Sequence, residues 1–482
     1  MNLRITENYI WFPAASDCDE VKLHIYFEET KIHEMDVKLS QNPEFYFPMD
    51  VSEFVGKELK ICSGCDESLL KTITCHDDIY RPEYPYRPKI HFTTGSGWIN
   101  DPNGLIYDNG IYHMFYQFNP YGIDWGNMHW GHAISRDLIS WQMQDIALYP
   151  DEYGTVFSGC AFKDEKNASD YGKDALLFFY TAAGGFNEWS KDKDSTQRVA
   201  VSYDNADTLI KKDMILDTIK EGNRDPKVFY HHESASYVMV LYLIDNEFAI
   251  LRSDDLKNWK ESDRLCLEGM WECPDLFELK IKDMDEKRWV FWSADGYYVL
   301  GDFDGYRFTK KSEVMSAYDT KLPYAAQTFA GTGERKISVS WYRTQNNKGS
   351  FRGMMSIPNE LSLVDTDNGS RISFSPVREL DDKSVKVKDS HDTCFYEKLS
   401  GEPVMILISW KDDFCPVSIG DIRIDKKVTT IIIDHGIIEY YAKNGTGYGA
   451  IEASEDILSQ TVSIDSGLES IEIRKINYQM PS

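Results

Sequence analysis

Three acidic residues stand in rigid local settings that leave their carboxyl groups available for chemistry. Asp101 lies in Trp98-Ile99-Asn100-Asp101-Pro102-Asn103-Gly104, Asp225 in Arg224-Asp225-Pro226, and Glu272 in Trp271-Glu272-Cys273-Pro274-Asp275. Pro102 fixes its own φ and biases Asp101 toward extended backbone, while Asn103-Gly104 supplies turn chemistry. The apolar run Leu105-Ile106-Tyr107 then reads as a strand, so Asp101 stands at a strand's mouth. A lone Asp-Pro is most often a turn former, and caps would explain each acid separately. They would not explain three acids that each open a strand-like run. Carboxylates sharing one aromatic-lined channel suit glycoside chemistry. A retaining glycosidase needs an ionised nucleophile and a protonated acid about 5–5.5 Å apart across the scissile bond. Asn100 and the turn amides favour an anion at Asp101. Trp271 and Cys273-Pro274 are expected to strip water from Glu272 and favour its protonated form. Arg224 is expected to keep Asp225 ionised, which suits a clamp on substrate.

Something must bring these acids together from positions far apart in the chain. From His91 to about Leu363 there is almost no helical periodicity, and short strands rich in Val, Ile, Phe, Tyr and Trp alternate with Gly, Asn and Asp. Ser135-Arg136-Asp137-Leu138-Ile139-Ser140-Trp141 recurs as Ser253-Asp254-Asp255-Leu256-Lys257-Asn258-Trp259, 118 residues on (253 − 135). Ser202-Tyr203-Asp204 opens a degraded copy between them, so the unit is about 59 residues, the size of a four-stranded propeller blade. Asp101, Phe157-Ser158-Gly159, Asp225, Glu272 and Tyr324-Ala325-Ala326-Gln327 mark five strand starts, hence five blades. Inner strands of a propeller line its axis, so residues that open them converge.

The expected fold is all-β: a five-bladed β-propeller over residues 89–363 with a C-terminal β-sandwich over 370–482 and a small N-terminal β domain over 1–84. The N-terminal part alternates apolar and polar positions, as in Val21–Phe27, and reads as an accessory sandwich. It ends in the proline-rich joint Arg81–Pro88. Runs such as Val404–Trp410 and Thr429–Ile433 mark the C-terminal sandwich.

Composition narrows the partners. The 482-residue chain carries a net charge of −27 with no basic block, which disfavours nucleic acid and anionic lipid. No stretch approaches a membrane span, Met1–Glu7 lacks the apolar core of a signal peptide, and nine scattered cysteines suit reduced thiols, so a cytoplasmic location is expected. Cys62-Ser63-Gly64-Cys65 with Cys75-His76 lacks standard zinc-finger spacing, and His129 with His132 is read as core packing. No metal or cofactor is expected. The oligomeric state stays open.

Together the blocks around Asp101, Asp225 and Glu272 resemble the signature blocks of glycoside hydrolase family 32, the fructan hydrolases and invertases. Trp125-Gly126-Asn127-Met128-His129-Trp130-Gly131-His132-Ala133, Phe157-Ser158-Gly159, Ser356–Leu363 and Asp434–Tyr441 match further family segments. The resemblance covers roughly residues 89 to 482; some bacterial fructan-degrading members also carry an N-terminal β domain. It implies that Asp101 is the nucleophile, Glu272 the acid/base and Asp225 the stabiliser of the fructosyl unit. Asn100, Gln117, Trp125, Phe157, Ser158 and Arg224 match its pocket positions. Asn359 replaces a usual arginine in the closing motif, and the C-terminal sandwich is short. The implied activity is retaining exo-β-fructosidase action on a small oligosaccharide: sucrose, inulin-type or levan-type chains. Fructosyl transfer or hydrolysis of sucrose 6-phosphate would use the same site. A non-catalytic carbohydrate-binding propeller ranks last, because all three acids are present.

Overall fold

The computed structural model describes residues 1–80, 82, 84–345, 349–411 and 414–478. Arg81 and Glu83 of the proline-rich joint lie outside the described residues, as do positions 479–482.

Between Gly97 and Pro376 the chain forms five successive antiparallel sheets, each built around four strands taken in sequence order. Blade 1 comprises Gly97–Asp108, Ile111–Asn119, His129–Ser135 and Trp141–Met143. Blade 2 runs from Thr155–Asp164 to Ile210–Leu216, blade 3 from Arg224–His231 to Lys260–Cys266, and blade 4 from Asp275–Lys280 to Phe308–Lys310. Blade 5 pairs Pro323–Thr328, Lys336–Tyr342, Asn359–Thr366 and Gly369–Pro376. The first strands of blades 1, 2 and 3 lie side by side, and that of blade 5 returns beside that of blade 1. The ring is a five-bladed β-propeller. It closes where Phe351–Arg352 pairs in parallel with Gly97 and Trp98.

The recurring heptapeptide is the turn between the third and fourth strands of a blade. Asp137 Oδ1 accepts from the amides of Ile139 and Ser140, Leu138 takes φ +62°, and the Trp141 indole donates to Leu138 O at 3.1 Å. Asp255, Leu256 and Trp259 repeat that arrangement in blade 3, with Leu256 at φ +61°. The repeat thus encodes an Asx turn stapled by an indole.

Residues 2–76 make two small sheets around Ile10, Phe12, Leu23, Ile25, Phe47 and Ile61. Tyr121 and Ile123 of the propeller join this core. Residues 384–476 form a six-stranded sheet and a four-stranded sheet that enclose a second apolar core. The boundary expected between 363 and 370 falls inside a hairpin: Gly369–Pro376 pairs with Asn359–Thr366 as the outermost strand of blade 5. The apolar run ending at Leu363 is only half of that hairpin, so the propeller extends to Pro376.

A buried ionic cluster joins propeller to C-terminal sandwich. The His91 imidazole lies 3.1 Å from Asp434 Oδ2 and 3.0 Å from Glu439 Oε1, with all three side chains fully enclosed. Glu439 also accepts from the hydroxyls of Tyr342 at 2.5 Å and Tyr441 at 2.8 Å. Asp434 accepts the amides of Lys89, Ile90 and His91. The two carboxylates push the His91 pKa up to about 9 against the effect of burial. Asn359 sits beside this cluster, buried and donating to Ile357 O at 2.8 Å.

Candidate active site

The inner strands are bulged where they meet the axis. In blade 1, Ile99 pairs with Phe118 and Pro102 with Tyr116, leaving one extra residue at Asn100-Asp101. Thr181 and Tyr180 face Phe157 and Gly159, so Ser158 has no partner across the ladder. The same one-residue slip occurs at Asp225-Pro226 and at Ala325-Ala326. A bulge bends its strand and re-aims the unpaired side chain. Four of the five inner strands therefore turn a residue out of the sheet at the same level of the channel. Gly159 is required at one of these slips, since a Cβ there would fall 1.9 Å from Phe179 O. Blade 4 reaches the same level differently. Glu272 and Cys273 precede its first strand at φ +53° and +43°, and their segment is held by Ala294 N–H bonding to Trp271 O and Glu272 O. Asp225 also takes a left-handed backbone, φ +63°.

These features surround a cavity of about 670 Å³ whose lining includes all nine candidate residues: Asn100, Asp101, Gln117, Trp125, Phe157, Ser158, Arg224, Asp225 and Glu272. A larger cavity of about 830 Å³ between the N-terminal domain and blade 1 holds none of them. Asp101 accepts from Ser158 Oγ at 2.8 Å and from Asn100 Nδ2 at 3.1 Å. The Trp98 indole fixes Asn100 by donating to its Oδ1 at 2.9 Å, and Gln117 Nε2 reaches Ser158 Oγ at 3.5 Å. The Asp225 carboxylate accepts from Cys273 N–H at 3.0 Å, and the Asp225 amide donates to Thr181 Oγ1 at 3.1 Å. The Cys273 thiol touches two of the acids, 3.7 Å from Asp101 Oδ2 and 3.6 Å from Asp225 Oδ2. Glu272 accepts from Arg224 at 2.6 Å and from the Tyr324 hydroxyl at 2.5 Å. Around the mouth Trp125 meets Phe157 and Phe186 edge to face, with centroids 5.9 and 6.1 Å apart, and the two phenylalanine rings lie tilted at 4.8 Å.

The electrostatics differ from the sequence expectation in three places. Burial raises the Asp101 carboxyl above its ordinary range, with the Ser158 and Asn100 donors opposing and the Glu272 charge adding. Burial likewise lifts Asp225 to about 7; Arg224 opposes, and the charges of Glu272 and Asp101 add to the rise. Arg224 does not hold Asp225 ionised because it is turned to Glu272, leaving its Nε 3.9 Å from Asp225. The apolar enclosure expected of Glu272 is not found either: its side chain is 30% exposed and bound to a guanidinium and a phenol. The local sequence shows neighbours in the chain, whereas the charges that matter come from other blades.

Other candidates fall elsewhere. His129 is buried, with Nδ1 on the Asn127 carbonyl, and His132 stacks on Phe115 at 4.2 Å. The His76 ring lies on Trp11, 3.7 Å away, and Cys62, Cys65 and Cys75 are free thiols. Tyr324 was legible only as a blade start, and its bond to Glu272 was not. Phe186, on the loop after the second strand of blade 2, had no motif to announce it.

Residues 91–376 match the model for the N-terminal domain of glycosyl hydrolases family 32. Levanase of Bacillus subtilis is 36% identical over 329 residues, which are 61% of this chain and 47% of that protein. Fructan beta-fructosidase of Streptococcus mutans is 31% identical over 448 residues, 84% of this chain and 29% of that one. The chain thus spans less than two thirds of the length of these curated relatives. Among solved structures, exo-inulinase of Aspergillus awamori superposes with a TM-score of 0.70 at 24% identity, over 82% of this chain and 99% of that one. Beta-fructofuranosidase of Schwanniomyces occidentalis complexed with fructosyl-erythritol gives 0.70 at 23%, over 81% and 98%. These two share the fold. The matched family domain ends at the residue that ends blade 5 and contains every acid of the pocket, so this chain belongs to glycosyl hydrolase family 32.

Proposed function

We propose that the chain is a retaining, exo-acting β-fructosidase that removes terminal β-fructofuranosyl units from sucrose, fructooligosaccharides, inulin-type or levan-type chains. The observation that carries this reading is the meeting of Asp101, Asp225 and Glu272, from blades 1, 3 and 4, at one sugar-sized cavity. Asp101 attacks the anomeric carbon while Glu272 protonates the departing oxygen, giving a fructosyl-enzyme. Water deprotonated by Glu272 then opens that ester with overall retention. Ser158 and Asn100 aim the Asp101 carboxylate, and Arg224 with Tyr324 fixes the Glu272 carboxyl. Asp225 holds fructosyl hydroxyls and strengthens its grip as positive charge develops on the ring. Hydrolysis of a phosphorylated sucrose has less support: the cations of this lining are Lys193 and Arg224, and Arg224 is paired with Glu272.

The test is incubation with sucrose, inulin, levan and short fructooligosaccharides, with chromatography of the products and NMR of the first fructose released. Free fructose of retained configuration supports the reading. Initial release of the inverted anomer would rule out Asp101 as nucleophile, and longer oligosaccharides as main products would favour transfer over hydrolysis.

A further inference from the structure

The N-terminal domain grips two loops of the propeller, and both loops carry an aromatic residue of the pocket mouth. The grip comes from one hairpin, Val21–Phe27 with Thr30–Val37. On its first contact, Asp36 N–H donates to Asn127 Oδ1 at 2.8 Å and Asn127 Nδ2 donates back to Asp36 O at 2.7 Å. Asn127 has φ +44° and also binds Asn119 Oδ1 at 3.0 Å, while Asn119 Nδ2 holds Asp124 O at 2.9 Å. That knot closes the loop that presents Trp125, and Lys38 of the same domain adds an ion pair to Asp124 at 3.0 Å.

The second contact is with the loop from 184 to 195. Gly184, Gly185, Phe186, Lys193, Asp194 and Ser195 line the pocket, while the loop's tip turns away to meet the N-terminal hairpin. Glu34, buried, accepts the Glu188 N–H at 2.7 Å through Oε1 and Lys31 at 2.8 Å through Oε2. The Glu188 carboxylate lies 3.1 Å from His24 Nε2, and the Lys31 ammonium sits 4.8 Å over the Trp189 ring. These are directional polar contacts onto loop tips, each fixing a short segment at a defined angle. Trp125 and Phe186 remain 52% and 56% exposed, so they are packed against each other yet bare toward anything entering the pocket. Both line the pocket of the three acids while leaving half their surface open, so a sugar chain entering that pocket meets them.

We infer that the N-terminal domain is a specificity element: through Glu34, His24 and the Asp36 backbone it sets the aromatic collar that receives the sugar units attached to the terminal fructosyl residue. This rests on the fructosidase reading above. Glu34 and His24 are positioning residues, acting on substrate through Phe186 and its loop.

The experiment compares the full-length chain with Glu34→Ala, Glu34→Gln and Glu188→Ala. Each is assayed on a five-unit fructan and on methyl β-D-fructofuranoside, whose leaving group is too small to reach the collar. Inhibition by free fructose reads the inner pocket alone. Glu34→Ala should lower kcat/KM on the five-unit chain by about 3- to 10-fold, mainly through KM, the range that one lost aromatic packing contact gives. Values for the methyl fructoside and for fructose inhibition should stay within about 2-fold. Glu34→Gln, which keeps the acceptor for the Glu188 amide, should recover most of the loss. Glu188→Ala, at an exposed position that tolerates truncation, should shift the same ratio in the same direction. Equal losses on both substrates, or an unchanged ratio in Glu34→Ala and Glu188→Ala, would overturn the inference alone. A chain inert toward every fructoside would overturn the proposed function and this inference with it.

Discussion

The cation between Asp434 and Glu439 gives the fold a pH dependence whose size can be worked out. An unfolded histidine titrates near 6.5, whereas His91 holds its proton to about 9 in the folded chain. Below pH 6.5 both states are protonated and the contribution is complete. Between 6.5 and 9 the unfolded chain has released a proton that the folded chain retains, so stability falls as pH rises. Each pH unit is worth about 1.4 kcal/mol, so the gap from 6.5 to about 9 amounts to about 3–4 kcal/mol, lost once the pH passes 9. Because the side chain is fully enclosed, solvent screening does not reduce this figure. His91→Gln keeps a hydrogen-bonding side chain but carries no charge at any pH. It should be less stable than the parent by about 3 kcal/mol at pH 6, the low end for stranding buried carboxylates, since Asp434 and Glu439 keep their amide and phenol donors. At pH 10 the two chains should nearly coincide. Urea unfolding at pH 6, 8 and 10 reads this directly, with a midpoint difference near 1 M at pH 6 for an m of about 3 kcal/mol/M. A difference between the two chains that stays constant from pH 6 to 10 would refute a protonated His91.

Three further predictions concern the pocket. Asp101→Asn preserves shape while removing the attacking charge, so kcat should fall by about 10⁴ or more with the unfolding midpoint unchanged; Glu272→Gln should spare fructosides with good leaving groups in the first step, and azide should restore the second. Asp225 must be ionised to stabilise charge on the sugar, and its carboxyl is raised to about 7, so kcat/KM should drop as pH falls through about 7; a profile flat from pH 5 to 8 would contradict that assignment.

Much of this architecture was written in local pattern. The heptapeptide ending in Trp141 and Trp259 marks a physical turn, with its own hydrogen bonds and its own left-handed leucine, and so it survived as a recognisable repeat. The acids at 101, 225 and 272 were legible because bulges and left-handed turns demand particular neighbours, prolines and glycines among them. What resisted reading was everything that depends on a second blade. Arg224 adjoins Asp225 in the chain but pairs with Glu272 across the channel, which reversed the expected electrostatics. Tyr324 and Glu272 are 52 residues apart, and no periodicity links them. The end of the propeller was misplaced because the two strands of a hairpin look alike until their partners are known.

The seam that shuts the ring sets a timetable for the pocket. Phe351–Arg352 zips onto Gly97–Trp98 across 254 residues (351 − 97), and Gly97 donates its amide to Ser350 O. Until that late segment exists, Gly97 and Trp98 at the start of the strand carrying Asp101 lack their partner on that side, a short open edge of the kind that recruits other chains. Contacts this distant in sequence form slowly. A nascent chain halted before residue 351 would hold all three acids and the bridge from Ile106 to Ala330, and still lack the pairing that ties down Gly97 and Trp98 ahead of Asp101. One restraint on the strand that carries Asp101 therefore comes from among the last segments of the propeller to be made.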